Sequence, residues 1–465
     1  MKKQRILSFA TLILASSILL TGTPSYALAD MEAQKLLPIQ SNSIANWPPG
    51  PSISAYSAVL IDADTGVVLY DKNSDEKMYP ASTTKLLTCL LAMEKEDSNL
   101  NDLVSFSTEA VMTVPYDASK MGMDVGEKMT LEECLYGILV CSANEVSNAV
   151  AEYVSGDIDS FVDLMNKRAK ELGCKNSNFC NPHGYTDPNH YTTAYDLALI
   201  GKEFFKNELL SKISCTSSYH FYPTQYQPDD MYLGSTNYFL KGKENCDNLV
   251  GSKTGYTDES RNVLVSCAEK NGLRLIAVVM QEETPYQYRD TVTLFDYGFS
   301  NFDVIKVSDY DTKYTVTDDS FFHTASDVFG DSSGILFMDS NAKIILPKTV
   351  AFSDLDSSLI LNDDPLSDTI AKVIYKYNNI NLGEADIYFS EKNDKEFIFD
   401  ENNDIEENDD SDEPVFIYIN YILYGIGALF VLIIIISFIK KILSTYHFAE
   451  RRKASRHWRS RRKWK

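Results

Sequence analysis

The apolar positions of the chain change period twice, and each change marks a different kind of structure. Between Ser52 and Phe302 strand and helix signals alternate. Ala58 to Tyr70 is a pair of apolar runs around Asp64-Thr65-Gly66, which predicts a hairpin. Thr130-Leu131-Glu132-Glu133 has the form of a capping box, after which Leu131, Cys134, Leu135, Ile138 and Leu139 recur at helical spacing. Val263 to Ala268 and Leu273 to Met280 are apolar runs joined through Asn271-Gly272, a tight-turn signal. The pattern predicts an α/β (α+β) fold, an antiparallel sheet flanked by helices. From Val304 to about Glu396 the chain is strand-rich, with runs such as Lys343-Ile344-Ile345-Leu346-Pro347 and Ala385-Asp386-Ile387-Tyr388-Phe389, so a small all-β second domain is expected. Asp400 to Glu413 is mostly Asp, Glu and Asn. Such a segment cannot form a core and reads as a self-repelling linker.

Two longer apolar runs bound this region. Lys2, Lys3 and Arg5 precede an apolar stretch from Ile6 to Leu20, and Ala27-Leu28-Ala29 supplies small residues at a cleavage position, so residues 1–29 are expected to be a signal peptide. Phe416 to Ile439 is long enough to cross a bilayer, and Lys440 and Lys441 stop it. The tail beyond carries Arg451, Arg452, Lys453, Arg456, Arg459, Arg461, Arg462, Lys463 and Lys465, which places it in the cytoplasm by the positive-inside rule. The expected organisation is an extension over 30–51, the candidate chemistry over 52–302 and a β domain over 303–396. A linker over 397–414, a C-terminal transmembrane helix over 415–439 and a cytoplasmic tail over 440–465 complete it. A single-pass protein of the cell membrane follows, with its folded part outside the cytoplasm.

Charge sharpens that division. The chain has 43 basic and 66 acidic residues. Setting aside the three bases of the leader, and the eleven bases and one acid from Lys440 onward, leaves 29 bases and 65 acids, a net of −36 for the exterior part. A surface of that sign argues against nucleic acid as a partner. The eight cysteines of an exported chain raise the question of disulfides. Cys89, Cys134, Cys141 and Cys267 fall within apolar stretches where a small hydrophobe serves, whereas Cys174 and Cys180 are near enough in sequence to pair. No C-x-x-C or His-Cys spacing suggests a metal site, and no cofactor motif is present.

Three short motifs carry the candidate chemistry. In Pro80-Ala81-Ser82-Thr83-Thr84-Lys85 a serine at a helix start precedes a lysine by three residues, one turn away on the same face. A buried Lys85 would lose its proton more readily and could accept that of Ser82. Ser437-Phe438-Ile439-Lys440 matches the same spacing at the bilayer edge, so the motif alone is weak. Ser142-Ala143-Asn144 follows the capped helix; on a loop, its hydroxyl and amide could face one cleft, although most such triplets are ordinary turns. Lys253-Thr254-Gly255 opens a strand. An exposed lysine and threonine there could bind a carboxylate, and Gly255 would let a substrate backbone approach; the bland alternative is a charged edge strand.

The order S-x-x-K, S-x-N, K-T-G resembles that of penicillin-binding proteins and serine β-lactamases. The surrounding sequence is similar to the low-molecular-mass D-alanyl-D-alanine carboxypeptidases in several places. These are Ser119-Lys120-Met121-Gly122-Met123, Val125-Gly126-Glu127-Lys128-Met129-Thr130, Asn181-Pro182-His183-Gly184-Tyr185, His190-Tyr191-Thr192-Thr193-Ala194-Tyr195-Asp196-Leu197-Ala198 and Lys253-Thr254-Gly255-Tyr256-Thr257. The resemblance covers about Tyr56 to Phe302 and implies a penicillin-binding, transpeptidase-like fold. It implies Ser82 as acylated nucleophile, Lys85 as general base and Ser142 as proton relay. Asn144 would hold the peptide, while Lys253 and Thr254, assisted by Arg289, would grip the terminal carboxylate. The backbone N–H groups of Ser82 and Tyr256 would form the oxyanion hole. The implied partners are a peptidoglycan stem peptide ending in D-Ala-D-Ala and β-lactams as covalent inhibitors.

His183 lies in a Pro/Gly loop and reads as structural, because the lysine supplies the base. His183, His190 and Asp187 have the residue types of a metal cluster, but the loop matches the family without metal. The family's usual S-G-N-D-A is here Ser142-Ala143-Asn144-Glu145-Val146, which keeps the acting side chains. A class A β-lactamase would need Glu-x-x-Leu-Asn between Asn144 and Lys253, and none is there. The remaining alternative is a transmembrane sensor that β-lactams acylate without turnover.

Overall fold

The computed structural model describes residues 31–96, 99–311, 335–362 and 369–390. The expected signal peptide, acidic linker, membrane span and basic tail lie outside the described residues. Among the described residues, no helix is long and apolar enough to cross a membrane.

Five antiparallel strands make the main sheet, in the order Val68–Lys72, Ser57–Asp62, Leu273–Glu282, Arg261–Lys270 and Leu249–Thr257. Both expected hairpins are present. In the second, Asn271 and Gly272 have φ of 53° and 78°. Two consecutive left-handed residues give the turn whose twist matches that of the flanking strands, and Asn-Gly tolerates it best.

Alternate residues of each strand enter different cores. Val59, Ile61, Val263, Val265, Ile276 and Val278 share one with the helices Lys85–Glu94, Leu131–Leu139, Asn144–Ser155, Ile158–Glu171 and Ala194–Lys206. Ala58, Leu60, Leu264, Leu275, Ala277 and Val279 pack instead with Leu294, Phe295 and Tyr297 of the helix Tyr286–Asn301. Covering both faces explains the near-continuous apolar runs of these strands. The capping box is closed from both sides: Thr130 Oγ1 accepts from Glu133 N–H, and the Glu133 carboxylate accepts from Thr130 N–H.

After Phe302 the chain becomes β structure, as its texture predicts. Phe302–Lys306 pairs with Lys343–Pro347, and a four-stranded sheet runs Ile335–Met338, Ile380–Ser390, Thr369–Tyr377, Asp356–Leu361. This part has its own core of Val307, Ile344, Val373, Tyr375 and Ile387. The boundary is nevertheless not a gap. Phe302 packs against Trp47 and Tyr297, and Ile345, Leu346, Tyr377 and Leu382 join the core beneath the helix Tyr286–Asn301. The N-terminal extension is therefore part of the fold: Trp47 Nε1 donates to Leu69 O at 2.8 Å, and Thr349 Oγ1 donates to Asn46 O at 2.6 Å. All eight cysteines are free thiols, so Cys174 and Cys180 do not pair.

Candidate active site

A cleft of about 700 Å³ runs along the free edge of the Leu249–Thr257 strand, and Ser82, Ser142, Asn144, Thr254, Gly255 and Tyr256 all line it. Segments about 60 residues and more apart in sequence thus meet as the three motifs suggest.

Ser82 lies in a tight 3₁₀ turn, Ala81–Thr84, that runs into the helix Lys85–Glu94. The preceding Ala81 has φ of 47°, a left-handed conformation that costs a non-glycine residue energy. Contacts on two sides hold the turn there. Thr83 Oγ1 donates to Pro80 O at 2.7 Å. Gly184 approaches so closely that a Cβ on it would fall 1.8 Å from Ala81 O, and its own φ is +83°. Gly255 closes the other side, where a Cβ would stand 2.9 Å from Pro80 O and 3.0 Å from Ser82 N.

Lys85 is fully buried, and its Nζ lies 3.0 Å from Ser82 Oγ, 2.6 Å from Asn144 Oδ1 and 2.7 Å from His183 O. Burial pushes its ammonium well below the usual lysine range, and the nearby charge of Lys253 pushes it further. The three contacts decide what the neutral amine can do. Its two N–H bonds are taken by the two acceptors that cannot donate on those atoms, Asn144 Oδ1 and His183 O. The lone pair is then directed at the Ser82 hydroxyl. That is the arrangement of a general base.

Ser142 and Asn144 sit differently from the expected loop. Ser142 is left-handed (φ 58°), whereas Asn144 already opens the helix Asn144–Ser155. Lys253 departs further from expectation. It lies on an edge strand but is buried, not exposed, because it pairs across the sheet with Val265 and shares that residue's helix-covered face. Its Nζ donates to Ser142 Oγ at 3.1 Å and to Thr254 O at 2.9 Å, and burial lowers its ammonium to about 8. Tyr256 is half exposed, with its hydroxyl donating to Asp258 at 3.0 Å.

Arg289 is not brought to the cleft. Its neighbours Gln287 and Tyr288 line the cavity, but the Arg289 guanidinium is exposed and pairs with Glu244 at 3.2 Å. The reason is its place on the helix Tyr286–Asn301, one residue beyond the inward-facing Tyr288.

Sequence reasoning missed what the Asn181–Tyr185 loop does. His183 acts through its backbone carbonyl, while its ring Nδ1 accepts from Tyr185 N–H at 3.1 Å and burial holds the imidazole well below its usual range. His190 Nδ1 accepts from Cys180 N–H at 3.0 Å, so the proton is on Nε2, which donates to Thr84 Oγ1 at 2.9 Å. Burial lowers the His190 imidazole to about 4, which keeps it neutral beneath the nucleophile turn. The Pro-His-Gly stretch was the available signal, since only glycine fits the approach to Ala81. Among the described residues, no cluster of His, Cys, Asp or Glu could hold a metal ion.

The D-alanyl-D-alanine carboxypeptidase family model matches residues 43–284, just over half of the chain. The chain is 42% identical over 253 residues to the D-alanyl-D-alanine carboxypeptidase DacF of Bacillus subtilis, covering 54% of this chain and 63% of that protein. It is 33% identical over 263 residues to the D-alanyl-D-alanine carboxypeptidase DacA of Haemophilus influenzae, covering 55% and 64%. The matched stretch thus spans just under two thirds of either relative's length. Among solved structures, penicillin binding protein 5 from Haemophilus influenzae superposes with a TM-score of 0.60 at 29% identity, covering 74% of this chain and 98% of that one.

Proposed function

Because the chain belongs to the D-alanyl-D-alanine carboxypeptidase family, we propose that it removes the terminal D-alanine from peptidoglycan stem peptides through an acyl-enzyme on Ser82. The observation that carries this reading is the buried Lys85 Nζ, 3.0 Å from Ser82 Oγ, with Asn144 Oδ1 and His183 O as its two other partners.

The steps follow from that geometry. Lys85 takes the hydroxyl proton as Ser82 Oγ bonds to the carbonyl carbon of the D-Ala-D-Ala peptide bond. The backbone N–H groups of Ser82 and Tyr256 receive the oxyanion, each donor contributing about 3 kcal/mol. Gly255 permits this approach, because any side chain there would meet Ser82 N. Lys253 and Thr254 hold the terminal carboxylate. The C–N bond then breaks, and the proton Lys85 took from Ser82 reaches the departing amine through Ser142, which is held by its hydrogen bond from Lys253. Water attacks the ester in the second half and releases Ser82. A β-lactam enters the same first half and leaves a stable ester. The setting we propose is the outer face of the cell membrane, with the span near residues 415–439 as anchor and cell-wall remodelling as the task.

Mass spectrometry of the protein after penicillin treatment should find one adduct, on Ser82, and Ser82→Ala should abolish labelling by fluorescent penicillin. Labelling that survives the substitution would refute the assignment. Release of D-alanine over many turnovers separates the enzyme from an acylated sensor, which would stop after one.

A further inference from the structure

The turn that carries Ser142 and Asn144 is underpinned by a residue with no part in the steps above. Glu145, the second residue of the helix Asn144–Ser155, is 1% exposed. Its Oε1 accepts the backbone N–H of Met121 at 2.7 Å and of Gly122 at 2.9 Å. Asn144 N donates to Ser119 O at 2.9 Å, so two adjacent residues grip one short piece of chain whose first member, Ser119, lines the cleft. The second oxygen, Oε2, is equally buried and has no hydrogen-bond partner. A carboxylate oxygen in that position is costly unless positive charge lies near it.

Two basic groups are buried close by. Lys85 and Lys253 are bonded to the two side chains of the same turn, Asn144 and Ser142, and Glu145 is among the charges that act on Lys85. Every hydrogen-bond acceptor of the two ammonium groups is an uncharged oxygen. The titratable groups around Lys85 are Cys89 on its own helix, Lys253 on the edge strand, His183 and His190 on the loop, and Glu145. Cys141, just before the turn, feels both Glu145 and Lys253. On the elements packed against the Asn144–Ser155 helix, Ala110 O and Thr113 Oγ1 bond Asn148, and Leu135, Ile138, Phe161 and Met165 are apolar; Lys120, within the gripped segment, is exposed and donates to Val114 O at 3.3 Å. Glu145 is thus the one carboxylate among the groups acting on Lys85.

We infer that Glu145 is a positioning residue for the reaction at Ser82: it fixes the Ser119–Gly122 wall of the cleft and, next to the Asn144 that holds Lys85, sets a negative charge behind that lysine. The inference rests on the acyl-enzyme reading. A negative charge there favours the protonated form of Lys85 and therefore delays the appearance of the neutral base as pH rises. Removing the charge should let Lys85 lose its proton at lower pH. The acid limb of the acylation profile should move the same way.

The test is the pH dependence of the second-order rate of acylation by fluorescent penicillin, measured on the full-length chain. Glu145→Gln keeps an oxygen for the two amides and removes the charge; its acid limb should shift to lower pH by about one unit. Glu145→Asp keeps the charge on a shorter stem; its limb should stay within about 0.3 unit of wild type, while KM for a D-Ala-D-Ala peptide rises as the wall loosens. A merely structural role predicts lower Tm for both variants and no movement of the limb in either. An E145Q limb that coincides with wild type overturns the inference, as does an E145D limb displaced by a full unit. The latter outcome decides alone should E145Q fail to fold. Wild type that is not acylated on Ser82 would instead remove the reading beneath it.

Discussion

The cleft and the β region after Phe302 are built on opposite principles. Around the cleft Lys85, Lys253, Asn144, Glu145, His183 and His190 are all buried, and Ala81 and Ser142 are held in left-handed conformations. The core of the β region is Val307, Ile344, Ala371, Val373, Ala385 and Ile387, and the left-handed non-glycine residues of its strands are Asn378 and Asn379, where a tight turn asks for them. Buried charge and backbone strain each cost stability, on the order of 1–3 kcal/mol apiece for strain. The first region bears these costs, and a desolvated lysine and a fixed serine are what the proposed reaction draws from them. The second is apolar but for one buried acid, Asp311, which accepts from the buried Tyr375 hydroxyl at 2.9 Å.

That contrast can be broken or sharpened by how strongly substitutions in each region affect penicillin labelling. The largest effect, short of losing Ser82 itself, is expected from Gly184→Ala. A methyl group there meets Ala81 O in a left-handed backbone, and the turn must move. A strain of about 3 kcal/mol corresponds to labelling at least ~100-fold slower. Normal rates in a folded Gly184→Ala protein would show that the turn is softer than its contacts indicate.

Next comes Lys253→Ala, which on the proposed reading removes from the substrate carboxylate a charge-assisted hydrogen bond worth about 1.5–3 kcal/mol. kcat/KM on a free-acid peptide should fall by roughly ten- to a hundredfold. A peptide amidated at its C-terminus should be poor for wild type and lose little more. Equal losses on both substrates would place the carboxylate in another subsite.

A smaller effect is expected from pH alone. Burial lowers the Lys253 ammonium to about 8, so the charge proposed to hold the carboxylate is lost as pH rises through that value. kcat/KM for the free acid should decline above it, by about tenfold per unit at the steepest. Hydrolysis of the amide should not show this limb. The smallest effect on labelling is expected from the β region. Ile344→Ala opens a cavity in a fully buried site and should destabilise by about 2–5 kcal/mol, seen as a lower Tm, yet change the labelling rate at 25 °C by less than about twofold. A tenfold change would mean that the β region shapes the cleft.

Much of this was legible in the sequence, because the signals were local. Asn271-Gly272 specifies its turn, Thr130 and Glu133 specify their cap, and three spaced motifs point to one cleft. What escaped depends on which way an element faces. Lys253 reads as an exposed edge charge until the pairing with Val265 turns it beneath the helices. Arg289 reads as a cleft residue until the helix carries it outward to Glu244. The His183 carbonyl has no signature at all, since every residue has one; only the fold says which carbonyl meets a lysine.

The eight free thiols have a consequence for how the chain matures. Burial raises every one of them above the usual cysteine range, from half-buried Cys141 and Cys180 to enclosed Cys89 and Cys134. The thiolate is the form that oxidants and disulfide exchange act on, and raising the pKa keeps it scarce. This fold asks for no oxidant, no exchange catalyst and no ordered pairing of cysteines on the way to its final shape.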